Sequence, residues 1–297
     1  LGSEGIAVAD EQASNMLRKV NAFEKLMACG DNIIYGGTGV GDMVVRVYNE
    51  ANSRFNSCSS EHQSLDVSDA YRITNETLIN EKAKIIEEML QKNVGISTQE
   101  VQTGIHSGRG MPLDERVKEF SSNVVGNAKD YAYMQALLGG IRDDQFEIYL
   151  VDASGPSAKL SAPYISVGSG ADASSMILSS YFGELPKNKR GNVPFAEGLS
   201  KLIEATNASS KINNGVGGIP SIVYVSKDGL FKPDENASKL ATELVKGLNY
   251  RFLKRSAAYE MLHELVIDGK DHKEIEERMM SKAKHPKKFN RFLREYR

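Results

Sequence analysis

The sequence predicts an α+β fold, a four-layer αββα sandwich carrying a helical C-terminal appendage. Three observations predict it. Short apolar stretches bounded by Gly, Asp and Asn come in groups, and pairs of amphipathic segments separate those groups. A polar stretch at about 58–108 interrupts this alternation as an insertion. No strand signal follows Pro233, and residues 235–297 read as helical throughout. The expected organisation is one domain over residues 1–232, containing the insertion, and a helical extension over 233–297.

Taken in order, Ile6–Ala9 reads as a short buried strand. Lys25–Cys29 and Asn32–Tyr35 read as a hairpin across the Gly30-Asp31 turn. Gly36-Gly-Thr-Gly39 breaks the second strand, and a helix is predicted from Asp42. Its apolar positions Met43, Val44, Val45, Val47, Tyr48, Ala51 and Phe55 recur at helical spacing. The insertion holds one predicted helix, at Asn80–Lys92, and is punctuated by Gly95, Gly104, Gly108 and Gly110. Pro112 is expected to open the next helix, a position proline tolerates, and that helix runs through Val117, Phe120, Val124 and Val125 to about Lys129. Met134–Ile141 and Phe146–Val151 read as strands paired across Arg142-Asp-Asp-Gln145, with a turn at Asp152–Gly155 and a further strand at Tyr164–Val167. Helices are predicted at Ala173–Phe182 and Phe195–Asn207, then a strand at Ser221–Val225 closed by Lys227-Asp-Gly229.

Composition narrows the function classes. Asp and Glu number 39 against 37 Lys and Arg, a net charge of −2, so no global basic field points to nucleic acid. No apolar run approaches the roughly 20 residues that span a bilayer, and no signal peptide is visible; a membrane partner is not expected. The two cysteines, Cys29 and Cys58, are too few for a disulfide framework, which fits a reducing, cytoplasmic setting. His62, His106, His263, His272 and His285 show no metal-ligand spacing. The glycine run at 36–41 lacks the Lys-Ser/Thr of a phosphate loop. No metal or cofactor is therefore expected. The first residue is Leu1 and not Met, so the chain is expected to be processed or incomplete at that end. Lys282–Arg297 is strongly basic, readable as a solvated helical face or as a docking surface for an acidic partner or nucleic acid.

Several stretches follow one another in a recognisable order. They are Met111-Pro-Leu-Asp114, Tyr131–Ile141 with Gly139-Gly140, Tyr149-Leu-Val-Asp-Ala-Ser-Gly155, Val167-Gly-Ser-Gly170, Gly217-Gly218 and Ser221–Gly229. In that order they resemble the proteasome β-subunit and HslV family of N-terminal-nucleophile (Ntn) hydrolases, over about residues 4–57 and 111–229. In this family an N-terminal threonine attacks, a lysine lowers the pKa of the site, an acid positions the lysine, and a backbone N–H after a glycine turn stabilises the oxyanion. The resemblance implies Lys25 as the lysine and Glu11 as the acid, with Asp10 as its alternative one residue away. It implies Gly37 as the oxyanion-hole glycine, with Gly36 as alternative, and Ser169 as the serine beside the N-terminal amine.

Two departures accompany it. The family's Asp and Ser before the last strand fall at Asn213 and Val216, which weakens the proton network around the amine. The stretch before Glu11 is also too short for the family's opening strand and nucleophile. Ser3 after Gly2 resembles a processing junction but lies too close to Lys25. The nucleophile is therefore expected upstream of Leu1. Three readings follow: a peptide-bond hydrolase of this family, an inactive scaffold or binding subunit of the same fold, or a transpeptidase or ligase using the same acyl-enzyme chemistry. A peptide or protein substrate is expected in the first, and the resemblance implies a homo-oligomer, with a ring as one form.

Overall fold

The computed structural model describes residues 3–10, 13–15, 18–20, 24–59, 65–213 and 216–294. It is mixed α and β with several sheets, compatible with the α+β class. In chain order the strands before the first helix are β1 (Gly5–Ala9), β2 (Ala13–Asn15), β3 (Arg18–Val20), β4 (Leu26–Cys29) and β5 (Ile33–Gly39). Then come α1 (Gly41–Ser59), α2 (Val67–Val94), α3 (Thr98–Thr103), β6 (Ile105–His106), β7 (Met111–Pro112) and α4 (Glu115–Tyr131). The second half holds β8 (Met134–Arg142), β9 (Gln145–Asp152), β10 (Ala158–Leu160), α5 (Ala171–Glu184), α6 (Phe195–Ile212), β11 (Ser221–Ser226) and β12 (Gly229–Phe231). It ends in α7 (Glu235–Asn249), α8 (Arg255–Val266), α9 (His272–Lys282) and α10 (Pro286–Arg294).

The chain forms two compact units. One comprises Leu1–Gly36, Leu137–Ile148 and Lys159–Arg297, the other Gly37–Ala136 and Tyr149–Ala158. A three-stranded sheet has the order β1-β11-β12, and a five-stranded sheet the order β10-β9-β8-β5-β4.

In the first unit β1 and β11 pair antiparallel, Ile6 opposite Tyr224 and Val8 opposite Ile222. Successive side chains point to opposite faces of a strand, and here both faces are apolar. Ile6, Val8, Ile222 and Tyr224 join a core with Leu199 and Ile203 of α6 and Leu240, Leu244 and Val245 of α7, which extends through α8, α9 and α10. Burying each such Leu or Ile stabilises the fold by about 1.5–3 kcal/mol. The alternate residues Ala7, Ala9, Val223 and Val225 cluster instead with Leu26, Ile34, Phe146 and Leu230. Within this unit the β1-β11 layer therefore has helices on one face and strand residues of β4, β5 and β9 on the other. The Phe146 ring explains two glycines: a Cβ on Gly5 would lie 2.0 Å from it, and one on Gly139 2.7 Å.

In the second unit α2 packs against both α1 and α4. The predicted stripe of α1 is buried at Met43, Val44, Val47, Ala51 and Phe55, while Tyr48 is half-buried and Val45 is exposed. α2 is far longer than the predicted Asn80–Lys92. Asp66 starts it, accepting from the Ser68 and Asp69 N–H groups at 2.8 and 3.1 Å while the Asp69 carboxylate accepts from the Asp66 N–H. Gly95 ends it in the left-handed conformation, φ 75°.

Three further local expectations change. Pro112 does not open a helix; it pairs with Ile105 in the β6–β7 hairpin, and Asp114 caps α4 by accepting from the Arg116 N–H at 2.9 Å. Residues 164–167 are not a strand, because Tyr164 turns onto α5, stacking on Phe182 at 4.8 Å and bonding Ser179 Oγ at 2.8 Å. The strand in this region is β10. β5 also continues through Gly36 and Gly37 to Gly39, so the glycines do not break it.

Glu100 on α3 organises the hairpin that follows. It is buried and accepts from the Ser97 N–H and hydroxyl at 2.8 and 3.2 Å, and from the Ser107 N–H and hydroxyl at 2.7 and 2.8 Å. His106 Nδ1 lies 3.3 Å from the same carboxylate. These donors, the Ser97 and then the Ser107 backbone N–H foremost, hold its carboxyl down from the ordinary 4.5 to about 2. Because the folded value is the lower one, the contribution is complete above pH 4.5 and is lost as pH falls towards 2. Glu100→Gln is expected to lower the urea midpoint at neutral pH and to flatten its decline across that acid window. An acid dependence identical to the unsubstituted protein would refute this assignment.

Candidate active site

The candidate site assembles in the first unit where β1 ends and β4 begins. Asp10 follows the last residue of β1, and Lys25 precedes the first residue of β4. Lys25 Nζ lies 2.8 Å from Asp10 Oδ1, and the side chains are only 20% and 16% exposed. An ion pair this far withdrawn from water holds its geometry better than a surface pair. The second carboxylate oxygen accepts a long hydrogen bond, 3.4 Å, from the Gly217 N–H.

Gly217 belongs to the turn that leaves α6. Asn213 caps this helix, its N–H donating to Ser209 O at 2.9 Å, and its own carbonyl accepts from the Val216 N–H at 3.1 Å. Its side-chain Nδ2 donates to the Ser169 carbonyl at 2.6 Å. The 168–170 loop is thus tied to the turn. Ser209 Oγ reinforces the tie by donating to Gly170 O at 2.8 Å. A Cβ on Gly170 would stand 2.8 Å from Ser209 Cβ and 3.0 Å from Val216 Cγ2, so the approach requires glycine.

A continuous set of contacts therefore links Ser169 through Asn213 and Gly217 to Asp10 and Lys25. Ser169 itself is exposed. Glu11 lies outside the described residues. Gly37 sits buried within β5 and belongs to the second unit. Its neighbour Gly36 pairs with Leu26, beside Lys25, and a Cβ there would meet Leu26 Cδ2 at 3.2 Å.

Two features went unread in the sequence. Lys232 pairs with Glu24 and reaches Leu26 O at 3.4 Å, pinning the start of β4 from another direction. Beside it is a cleft of about 330 Å³ lined by Ile219, Pro220, Ser221, Lys232, Asp234 and Ser238, among others. Ser221 pairs with Ala9, the residue before Asp10, and its buried Oγ has no hydrogen-bond partner among the described residues. Nothing in the spacing of Glu24 and Lys232, on opposite sides of the chain, signals that they meet.

Chemically, the cluster offers an ammonium held by a carboxylate whose other oxygen takes the Gly217 N–H. Among the described residues Lys25 Nζ makes no hydrogen bond to a hydroxyl or thiol, and no group of three or more His, Cys, Asp or Glu could hold a metal ion. No helix among them is long and apolar enough to cross a membrane.

No family model matches the chain. Proteasome subunit beta 1 of Thermococcus kodakarensis is 26% identical to it over 123 residues, 41% of this chain and 56% of that relative. The chain thus spans about half the length of the relative it matches, and is distantly similar to a proteasome beta subunit.

Proposed function

We propose that this chain is a proteasome-like hydrolase of the N-terminal-nucleophile type, acting on peptide bonds, with an αββα core. The observation that carries the reading is the Lys25–Asp10 pair at 2.8 Å, withdrawn from solvent at the ends of β4 and β1. An ammonium fixed there favours the deprotonated form of a nucleophile placed beside it, the function a lysine serves at such a site. Lys25 and Asp10 or Glu11 tune the nucleophile, Gly37 or Gly36 supplies the oxyanion N–H, and Ser169 lies beside the nucleophile's amine. The helix–strand–strand packing of the first unit supports three layers of the sandwich. The nucleophile itself lies upstream of Leu1, on a strand adding to β1, which is an edge of its sheet among the described residues. The subunit would self-associate, in a ring as one form.

Intact mass and N-terminal sequencing of the natural mature protein test this, combined with turnover of fluorogenic peptides. A Thr, Ser or Cys at the mature N-terminus, ahead of β1, together with peptide hydrolysis is the expected result. A mature chain without such a residue overturns it.

One observation favours the inactive-scaffold reading. Val216 is buried against Gly170, and Asn213 spends an amide hydrogen on the Ser169 carbonyl. At positions 213 and 216 the turn thus carries an amide and an aliphatic side chain in place of the acid and hydroxyl that would manage a proton. The same turnover measurement separates the two.

A further inference from the structure

The C-terminal helices divide into two electrostatic halves. In the first, cations are matched: Lys270 lies 2.8 Å from Glu264, and Arg278 pairs with both Glu264 and Glu260. In the second, Lys282, Lys284, Lys287, Lys288, Arg291 and Arg294 are all exposed, and no acidic residue occurs between Arg278 and Arg294. Lys282, Lys284, Lys287, Lys288 and Arg294 make no ion pair among the described residues.

This basic stretch is folded and not a loose tail. Phe289 and Leu293 of α10 are buried, Phe289 stacks on Phe252 at 4.9 Å, and the Lys284 N–H donates to Phe252 O at 2.8 Å. At 3.6 residues per turn, positions 287, 291 and 294 fall opposite 289 and 293. Lys287, Arg291 and Arg294 therefore form an outward stripe on a helix anchored by its other face. Holding Lys284, Lys287, Lys288 and Arg294 together on this segment costs self-repulsion that an opposite charge would relieve.

We propose that this face of α9 and α10 is a docking surface for a short acidic peptide segment of another protein. The apolar residues of α10 are spent on the core, so the helix has no face left to insert into a lipid surface. Its rings, Phe289 and Phe292, pack on Phe252 and are not presented for base stacking. Removing the six cations from the 37 Lys and Arg leaves 31 against 39 Asp and Glu. The rest of the chain is therefore acidic on balance, which favours a short acidic segment that the patch can cover over a long polyanion.

The test uses the full chain and fluorescein-labelled deca-glutamate, followed by anisotropy at low and high salt. Binding is expected at low salt, to weaken as salt rises, and to fall about 10- to 100-fold in the combined variant Lys287→Glu, Arg291→Glu, Arg294→Glu. Circular dichroism checks that this variant is folded, and the milder Lys287→Gln, Arg291→Gln, Arg294→Gln variant should give an intermediate loss. Equal binding by all variants overturns the proposal. So does tighter binding to a short DNA duplex or to phosphatidylserine vesicles than to the peptide. Loss of the chain's own self-association in the charge variant, with no peptide binding by the unsubstituted chain, would assign the face to a second copy and overturn it equally.

Discussion

Gly39→Ala is expected to destabilise the protein by about 2–5 kcal/mol, from positive-φ strain and overpacking together. Gly39 has φ +119°, a conformation that L-residues with a side chain rarely adopt. A Cβ there would also lie 2.6 Å from both Met134 Cα and Tyr133 O. Those are backbone atoms, so no rotamer change relieves the overlap. Directly after it, the Val40 N–H donates to Tyr133 O at 2.9 Å, and Val40 O accepts the N–H of Val44 at 3.0 Å, in the opening turn of α1. The substitution therefore pushes apart β8 and the start of α1, disturbing both hydrogen bonds. Gly126→Ala is the matched control. It sits on an exposed stretch of α4 with nothing within 4 Å of the added Cβ, and should gain about 0.5–1 kcal/mol. Urea denaturation of the three intact proteins checks both signs. A loss below about 1 kcal/mol at Gly39, less than either contribution expected there, would show that the strand end relaxes without strain.

The elements legible in the sequence are those whose signal is local. The β8–β9 hairpin is one: Asp143 and Asp144 take φ 49° and 63° between strands ending at Arg142 and starting at Gln145. This is the positive-φ two-residue turn that Asp tolerates. α1 is another, because most of its apolar stripe is buried, Val45 excepted. α2 resisted the same reading. Its buried face includes Thr74, Thr77 and Glu81, and Arg54 of α1 reaches across to Thr77 Oγ1 at 2.9 Å and Glu76 Oε2 at 2.8 Å. Polar residues on the buried face, of which Thr77 is met by Arg54 of the neighbouring helix, interrupt the hydrophobic period. Tyr164 was misread for a related reason, since its ring answers to Phe182, a partner no strand pattern contains.

At the candidate site, position was readable and pairing was not. Lys25 is conspicuous at a strand start, and an acid is conspicuous after Ile6–Ala9. Which of two adjacent acids faces the lysine depends on strand register, where a slip of one residue turns side chains to the other face. The Ala9–Ser221 pairing sets the end of β1, and the lysine's visible partner is Asp10. The Asn213–Ser169 bond joins residues 44 apart. It exists because α6 and the 168–170 loop close on a glycine, a tertiary event with no sequence period.

Lys25→Ala should lower peptide turnover by the natural full-length protein about 100- to 1000-fold, if the hydrolase proposal holds. The reason is electrostatic. Without the ammonium, a nucleophile beside Asp10 faces an uncompensated carboxylate, and its pKa rises by about 1–3 units. The loss should fall on kcat/KM, and the rising limb of the pH–rate profile should move to higher pH, which a purely structural role for Lys25 would not do. Lys25→Arg keeps the charge and should recover part of the rate, though its broader head cannot reproduce a single 2.8 Å contact to Asp10 Oδ1. Asp10→Asn should cost less, about 10- to 100-fold, because the ammonium remains but is held less firmly. The double variant decides between a coupled pair and two independent residues. Asp10 acts through Lys25, so adding Asp10→Asn to Lys25→Ala should cost nothing more, because it removes the stranded carboxylate. Strictly multiplicative losses would break the pairing assignment. Unchanged turnover in Lys25→Ala would remove the lysine from the chemistry altogether, and turnover absent from the unsubstituted protein would leave the pair as a structural clasp between β1 and β4.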